Sequence, residues 1–428
     1  MSATAICLFG SFFLLLFLNM PIAVALGLST AITLLLFDLP IQSLPPTLYS
    51  SLTKFTLLAI PFFFLAGLIM ERAGISKRLI QLAQTLTGHF TGGLAIVSVV
   101  AACFFAAISG SGPATMAAVG AIIIPAMVKQ GYRKDMSAGL LATAGGIGII
   151  IPPSIAYIIY GVIAEVSIGK IFMAGIVPGL LMGAILALTG YMIARKEKIP
   201  TLPKASARDI VAALKDASWG LMAPVIILGG IYTGIFTPTE SAVVAVFYGL
   251  FVGIFIYKEI KIKHLPSLLV ESAKTTAMIM LIVASASTFA WLITVEGIAE
   301  DLANSLMSIA PNTITMMLMI NLVLLIAGMF VDAISAFYIF LPIFLPILTM
   351  MDIDPVHFGV MMTMNLAIGL VTPPVGLDLY VACGLAKISL KEISKGVIPF
   401  IVASILALLV ITYIPSITLW LPELLNMK

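Results

Sequence analysis

Charge is what this sequence most lacks. Only 10% of its 428 residues are charged, against 61% hydrophobic. A soluble chain of this length could not hide that much apolar surface, and the mean hydropathy of +1.19 agrees. The alternation of apolar and polar residues that a membrane barrel needs is missing too. The apolar runs are continuous over roughly 18–35 residues, so they read as membrane helices. The three cysteines, Cys7, Cys103 and Cys383, stand isolated in apolar stretches, which excludes a disulfide framework and leaves them as small packing residues. His89, His264 and His357 are too far apart for a metal cluster. The net charge of +3 is spread over short loops with no basic, aromatic-laced patch, so nucleic acid is not a partner. No GxxxxGK[ST] loop occurs, which argues against direct use of ATP. The opening run MSATAICLFGSFFLLLFLNMP has no basic residue before its apolar stretch, so it reads as a retained first helix rather than a signal peptide.

The few charges fall in bands. Arg72, Lys77 and Arg78 form one, Lys129, Arg133 and Lys134 a second, Arg195 to Lys215 the longest, and Lys258, Lys261 and Lys263 a fourth. The positive-inside rule places these bands in the cytoplasm. Glu296, Glu300 and Asp301, and the turn with Asp352 and Asp354, are acidic and are expected outside. The basic stretch 195–216, with Pro200 and Pro203, reads as a cytoplasmic linker between two halves, 1–194 and 217–428.

The halves repeat. At an offset of 221 residues, Pro125 meets Pro346, Gly148 meets Gly369, Pro152 and Pro153 meet Pro373 and Pro374, and Pro178 meets Pro399. Matched loops change charge character: basic 129–135 corresponds to acidic 350–356. Such a pattern predicts an inverted-topology repeat, one half upside down relative to the other. In half one, helices are expected over 4–20, 21–38, 54–71 and 171–194, with a re-entrant hairpin at 90–128 and a broken helix at 135–163. In half two, helices are expected over 218–236, 240–257, 275–295 and 396–415, with a hairpin at 305–350 and a broken helix at 355–385. This is an all-α polytopic chain of about ten crossings with both termini outside. Trp219, Trp291 and Trp420 are expected at helix ends, as interfacial anchors.

Two proline pairs inside apolar segments need a reason. GIIIPPSIAY (148–157) and GLVTPPVGLD (369–378) unwind their helices, because proline lacks an N–H and clashes with the turn before it. ISGSGPAT (108–115) makes a hairpin tip, and MFVDAISAF (329–337) is its counterpart, with Asp332 aligned to Ser111. Irregular backbone at membrane depth survives only when buried in protein or lining a wet cavity. Freed carbonyls suit a small hard cation, and the positive starts of half-helices suit a substrate carboxylate. A carboxylate at membrane depth is costly and usually functional, which singles out Asp332. Asp378, just after the second break, reads instead as a cap on the restarted helix.

AAISGSGPATMAAVGAIIIPAM (106–127), GGIGIIIPPS (145–154), GMFVDAIS (328–335) and NLAIGLVTPPVG (365–376) together resemble the large membrane subunit of the tripartite ATP-independent periplasmic (TRAP) transporters. The resemblance covers essentially the whole chain. It implies an elevator-type fold, sodium as the coupling ion, and residence in the bacterial inner membrane. It also implies two partners, a separate small four-helix membrane subunit and a periplasmic substrate-binding protein. The implied substrates are organic acids, sialic acid or C4-dicarboxylates, with the sialic-acid branch as the expectation. Carried onto this chain, a first sodium site is expected at Ser109, Gly110, Ser111, Gly145, Gly148 and Ile151. A second is expected at Phe330, Asp332, Ala333, Ala367, Val371 and Thr372. The substrate is expected near Ser111, Pro152, Ser154, Asp332, Thr372 and Pro373.

Other classes fare worse. An intramembrane protease could borrow GSG at 110–112, but no histidine lies in an expected helix core to act as base, and Asp332 and Asp378 sit in no active-site motif. A passive channel is the third reading, and an inverted repeat with broken helices argues against it only statistically. The inverted repeat is checked by single-cysteine labelling from each side of the membrane. Positions in 129–134 should label from the cytoplasm and positions in 350–356 from outside; labelling of both from one face overturns the inversion.

Overall fold

A computed structural model describes residues 2–201 and 203–425 of the chain. Every regular element among them is helical. The Lys428 end, expected outside, is not among the described residues. Eight helices are long and apolar enough to cross a membrane. Two of these, Gly112–Lys129 and Ala333–Met350, are hairpin arms. Several of the remaining expected crossings are built from shorter pieces. Ala3–Phe17 and Ile22–Leu36 have 15 residues each, about 22 Å at 1.5 Å per residue and short of a ~30 Å hydrocarbon core.

The first half runs through Ala3–Phe17, Ile22–Leu36, Leu44–Leu52, Ala59–Arg72 and Ile75–Thr87 to the hairpin Gly93–Ser109 and Gly112–Lys129. The broken helix Lys134–Gly146 and Ile155–Ala164 follows, and then the long helix Ile168–Lys196. The second half repeats the order: Ala207–Tyr232, Pro238–Phe251, Leu265–Val295, Ile298–Ile309, the hairpin Thr313–Gly328 and Ala333–Met350, the broken helix Pro355–Gly369 and Leu377–Ala386, and Leu390–Tyr413. Ser416–Leu424 is the last of the described helices. The second hairpin, whose tip lacks the Gly-Pro signature, is as well formed as the first.

Several boundaries differ from the sequence reading. The linker is shorter than 195–216, because Ser206 and Asp209 form a capping box that starts a helix at Ala207. Trp219 therefore lies well inside that helix rather than at its end. Leu265–Val295 begins ten residues before the expected 275, at Leu265–Pro266. Its counterpart in the first half, Leu44–Pro45, starts a separate short helix, Leu44–Leu52. Ile75–Thr87 was not expected, and Ile298–Ile309 takes up the 305–309 stretch expected in the second hairpin, whose first arm starts only at Thr313. Each follows a glycine in the left-handed region, Gly74 at φ 73° and Gly297 at φ 66°. Each buries one face and leaves the other polar, so neither makes a continuous apolar run; both read as surface helices lying along the interface.

Helix packing holds the halves together. Leu390–Tyr413 packs on Lys134–Gly146, while Ile168–Lys196 packs on Pro355–Gly369, so each half's last helix braces the other half's broken helix. Glycines permit the first of these approaches: a Cβ on Gly396 would stand 2.2 Å from the Asp135 carbonyl oxygen. Within the second half, buried amides add a polar tie. Asn365 donates to Asn321 Oδ1 at 2.5 Å, and Asn321 donates to Thr412 Oγ1 at 3.1 Å, joining the second hairpin, its broken helix and the last long helix. On the predicted cytoplasmic face, Arg78 pairs with Asp216 at 3.3 Å and Glu259 at 3.6 Å. Both acids are half exposed, so each pair stabilises by well under about 1 kcal/mol.

Gly396→Ala should overpack the crossing and cost about 1–3 kcal/mol or more. Gly384→Ala, which has nothing within 4 Å of its added Cβ, should be tolerated. Thermal unfolding of the two purified variants checks this; equal midpoints would show that the crossing is not tight.

Candidate functional site

The first hairpin turns at Gly110, which takes φ 61° in the left-handed region, and Ser111, which is extended. Glycine suits the first position because a side chain there would be strained, and Pro113 suits the first turn of the returning arm, which needs no N–H. Thr115 donates to the Ser111 carbonyl at 2.8 Å and pairs with Ser109 Oγ at 2.8 Å. The hairpin tip thus gathers a carbonyl and two hydroxyls, with Ser109 and Thr115 buried.

The first break lies directly against this tip. Lys134–Gly146 tightens into a single 3-10 turn, Ile147–Ile149, and the chain then bends through the proline pair to an extended Ser154 before the helix restarts at Ile155. The Ile155 N–H donates to the Gly110 carbonyl at 3.3 Å. Gly148 faces the tip so closely that a Cβ there would stand 2.6 Å from both Ser111 O and Thr115 Oγ1. Ser154 donates to the Ile149 carbonyl at 2.7 Å. Of the first expected set, Ser109, Gly110, Ser111 and Gly148 come together. Gly145 packs one turn away against Gly112 and Met116, and Ile151 is buried in the break itself.

The second half repeats the arrangement with different chemistry. The Gly376 N–H donates to the Met329 carbonyl at 3.4 Å, and Gly369 lies against Gly328, where a Cβ would meet that backbone at 2.5 Å. Asp332 is the N-cap of Ala333–Met350. Its carboxylate accepts from the Ile334 N–H at 3.0 Å and the Ser335 N–H at 3.4 Å, and from Ser335 Oγ at 2.5 Å. Thr372 donates to the Ile368 carbonyl at 2.6 Å, and Val371 is buried. Phe330 is 53% exposed, so only its backbone can serve a site. The Ala367 carbonyl lies elsewhere than expected: it faces Gly146, 3.1 Å from where a Cβ would be, and marks where the two broken helices cross. Ala333 is the first residue of the returning arm.

Of the expected substrate residues, Ser111, Asp332, Thr372 and Pro373 are half-buried, whereas Pro152 and Ser154 are buried. A cavity of about 330 Å³ lies apart from all six, lined by Thr47, Lys54, Val162, Trp291 and Tyr338 among others. No cluster of three or more His, Cys, Asp or Glu side chains occurs among the described residues. The oxygens gathered at the tips are carbonyls, hydroxyls and the Asp332 carboxylate, a donor set for a hard cation rather than a transition metal. Two functional candidates escaped the sequence reading. Thr115 stands one helical turn from Ser111, a spacing that could have disclosed it. Asp378 does not cap the restarted helix: neither of its carboxylate oxygens has a hydrogen-bond partner among the described residues. The cost of a carboxylate at membrane depth, applied to Asp332, applied equally to it.

Comparison with known proteins gives the arrangement a context. Residues 9–417 match the family described as "Tripartite ATP-independent periplasmic transporter, DctM component". The C4-dicarboxylate TRAP transporter large permease protein DctM of Pseudomonas aeruginosa is 45% identical over 405 residues, covering 94% of this chain and 95% of that one. The sialic acid TRAP transporter large permease protein SiaM of Vibrio cholerae is 38% identical over 411 residues, 96% of each. Both relatives are named as permeases, not enzymes. Among solved structures, the YdaH transporter of Alcanivorax borkumensis superposes with a TM-score of 0.66 over 89% of this chain and 88% of that one, at 16% identity. That likeness concerns the fold alone.

Thr115→Val keeps the side chain's shape and removes its hydroxyl. The Ser111 carbonyl then loses a buried donor, which should loosen the tip by about 1–3 kcal/mol. Hydrogen exchange should quicken across 106–118 and stay unchanged across 361–369; unchanged exchange in both would show that the hydroxyl does not hold the tip.

Proposed function

This chain belongs to the DctM-component family of the tripartite ATP-independent periplasmic transporters, a multi-pass membrane protein of an organic-acid transport family, and from that premise we propose that it carries out sodium-coupled import of a small organic acid. The observation that carries the reading is the pairing of each hairpin tip with the break of its own half. Each pair brings backbone oxygens to membrane depth and puts the start of a half-helix beside them. Oxygens of this kind suit sodium, and the positive starts of the half-helices that follow Ser111, Ser154 and Gly376 suit a carboxylate. The first sodium position in this reading uses Ser109, Gly110, Ser111 and Gly148, to which Thr115 is added. The second uses the backbone around Phe330 and the turn at Val371 and Thr372, with Asp332 supplying negative charge. Direct contact of Asp332 with the substrate carboxylate is disfavoured by like charge.

The hairpins and broken helices would move together against the outer helices in an elevator motion. A small membrane subunit and a periplasmic binding protein complete the system in the bacterial inner membrane, with both termini periplasmic. Among substrates, a C4-dicarboxylate is favoured over sialic acid, because the relative named for the former shares 45% identity and the one named for the latter 38%.

Reconstitution of the assembled transporter in liposomes tests the whole reading: uptake should require an inward sodium gradient, and uptake indifferent to sodium overturns it. Asp332→Asn tests the site. Asparagine caps a helix about as well as aspartate, so stability should change by less than about 0.5 kcal/mol. Uptake should nevertheless collapse, because the charge is gone. Wild-type uptake with unchanged sodium dependence would leave Asp332 as a cap and nothing more.

A further inference from the structure

Asp378 is the only fully buried Asp, Glu, Lys or Arg among the described residues. It is the second residue of Leu377–Ala386, and its own N–H donates to the Leu370 carbonyl at 3.0 Å. Its carboxylate reaches across to the other half of the molecule. The Cβ position of Gly112, first residue of the returning arm of the first hairpin, lies 3.0 Å from Asp378 Oδ2, 3.4 Å from Leu370 Cδ1 and 3.5 Å from the Gly145 carbonyl oxygen. A carboxylate of the second half, a carbonyl of the first broken helix and the backbone of the first hairpin tip therefore surround one point. Neither carboxylate oxygen accepts a hydrogen bond from any described residue.

Two half-helices begin here, Gly112–Lys129 and Leu377–Ala386, and their positive ends favour negative charge. Partial charges do not replace a counter-charge, however. Buried charges in proteins are paired or coordinate a cation, because an isolated one is expensive to desolvate. No basic side chain serves. The charged groups on the elements packed against Leu377–Ala386 are Lys129, Lys134, Asp135, Lys391, Glu392 and Lys395. From Gly145 back to Lys134 is about 16 Å along the helix, and the others lie at the same predicted cytoplasmic end. The remaining titratable groups there are Tyr380 and Cys383 on the helix itself and Tyr413 at the far end of Leu390–Tyr413.

The repeat sharpens the point. At the offset of 221 residues, the counterpart of Asp378 is Tyr157. A group needed only to restart a broken helix would be expected in both halves. Instead, each hairpin tip has one carboxylate nearby: Asp332 on the second tip itself, Asp378 delivered to the first tip from the opposite half.

We propose that Asp378, with the Gly145 carbonyl, holds a sodium ion where the second broken helix meets the first hairpin tip. This is a third cation position beside the two tip–break pairs, and it rests on the reading of this chain as a cation-coupled carrier. Because its ligands come from both halves, filling it would tie them together before the hairpins move.

The test measures thermal unfolding of the purified protein while sodium is titrated against choline at constant ionic strength and neutral pH. Wild type should be stabilised by sodium. In Asp378→Asn, a half-saturating sodium concentration raised about tenfold or more assigns sodium to this position. An unchanged sodium titration overturns the proposal. Should the asparagine variant not fold, Gly112→Ala keeps the charge but sets a methyl 3.0 Å from Oδ2; it should shift the same titration, and an unshifted result overturns the proposal as well. Failure of the coupling reading looks different: wild-type liposomes would show no sodium-driven uptake, whereas these binding titrations would stand or fall on Asp378 alone.

Discussion

Hydrocarbon offers a backbone no hydrogen-bond partner, and the rest of this structure follows from that constraint. The chain leaves helical geometry at membrane depth in four places, two hairpin tips and two proline-marked breaks. Each irregular stretch is served by another. The Gly110 carbonyl accepts from Ile155, and the Met329 carbonyl accepts from Gly376. Tip and break are thus two halves of one solution. Neither would be stable at that depth without its partner, so hairpin and broken helix should move as a unit if they move at all. The glycines at 148 and 369 belong to the same solution, since each lets two irregular backbones touch.

The repeat supplies the frame twice, but not the same chemistry twice. The first tip offers hydroxyls from Ser109 and Thr115, the second a carboxylate from Asp332. The first break is buried throughout, whereas Pro374 and Val375 in the second are exposed. The halves are also not independent bodies. The last long helix of each braces the broken helix of the other, the broken helices cross at Gly146 and Ala367, and Asp378 reaches from one half to the tip of the other. A repeat joined in this way can couple events at one tip to the other without a dedicated linking element.

Much of this was legible without coordinates. Paired prolines in an apolar run can hardly be anything but breaks, and their recurrence at one offset exposes the repeat. The short surface helices Ile75–Thr87 and Ile298–Ile309 were not legible, because a half-polar helix leaves no long apolar run. The early start of Ala207–Tyr232 was hidden in basic residues that read as linker. At the candidate site, Ser109, Gly110, Ser111 and Gly148 came out together. Ala367 did not, because its carbonyl points at the other broken helix.

The sequence by itself determined the solvent, the helical class, the two halves and the positions of the tips and breaks. These follow from hydropathy, proline and glycine, whose effects act within a few residues. Tertiary structure alone decided which oxygens converge. It set Thr115 against Gly148, turned the Ala367 carbonyl towards Gly146, and carried Asp378 across the interface to Gly112 and Gly145. Those outcomes depend on how distant segments pack, and the burial of a charge, with the need for a partner that burial creates, is a property of that packing.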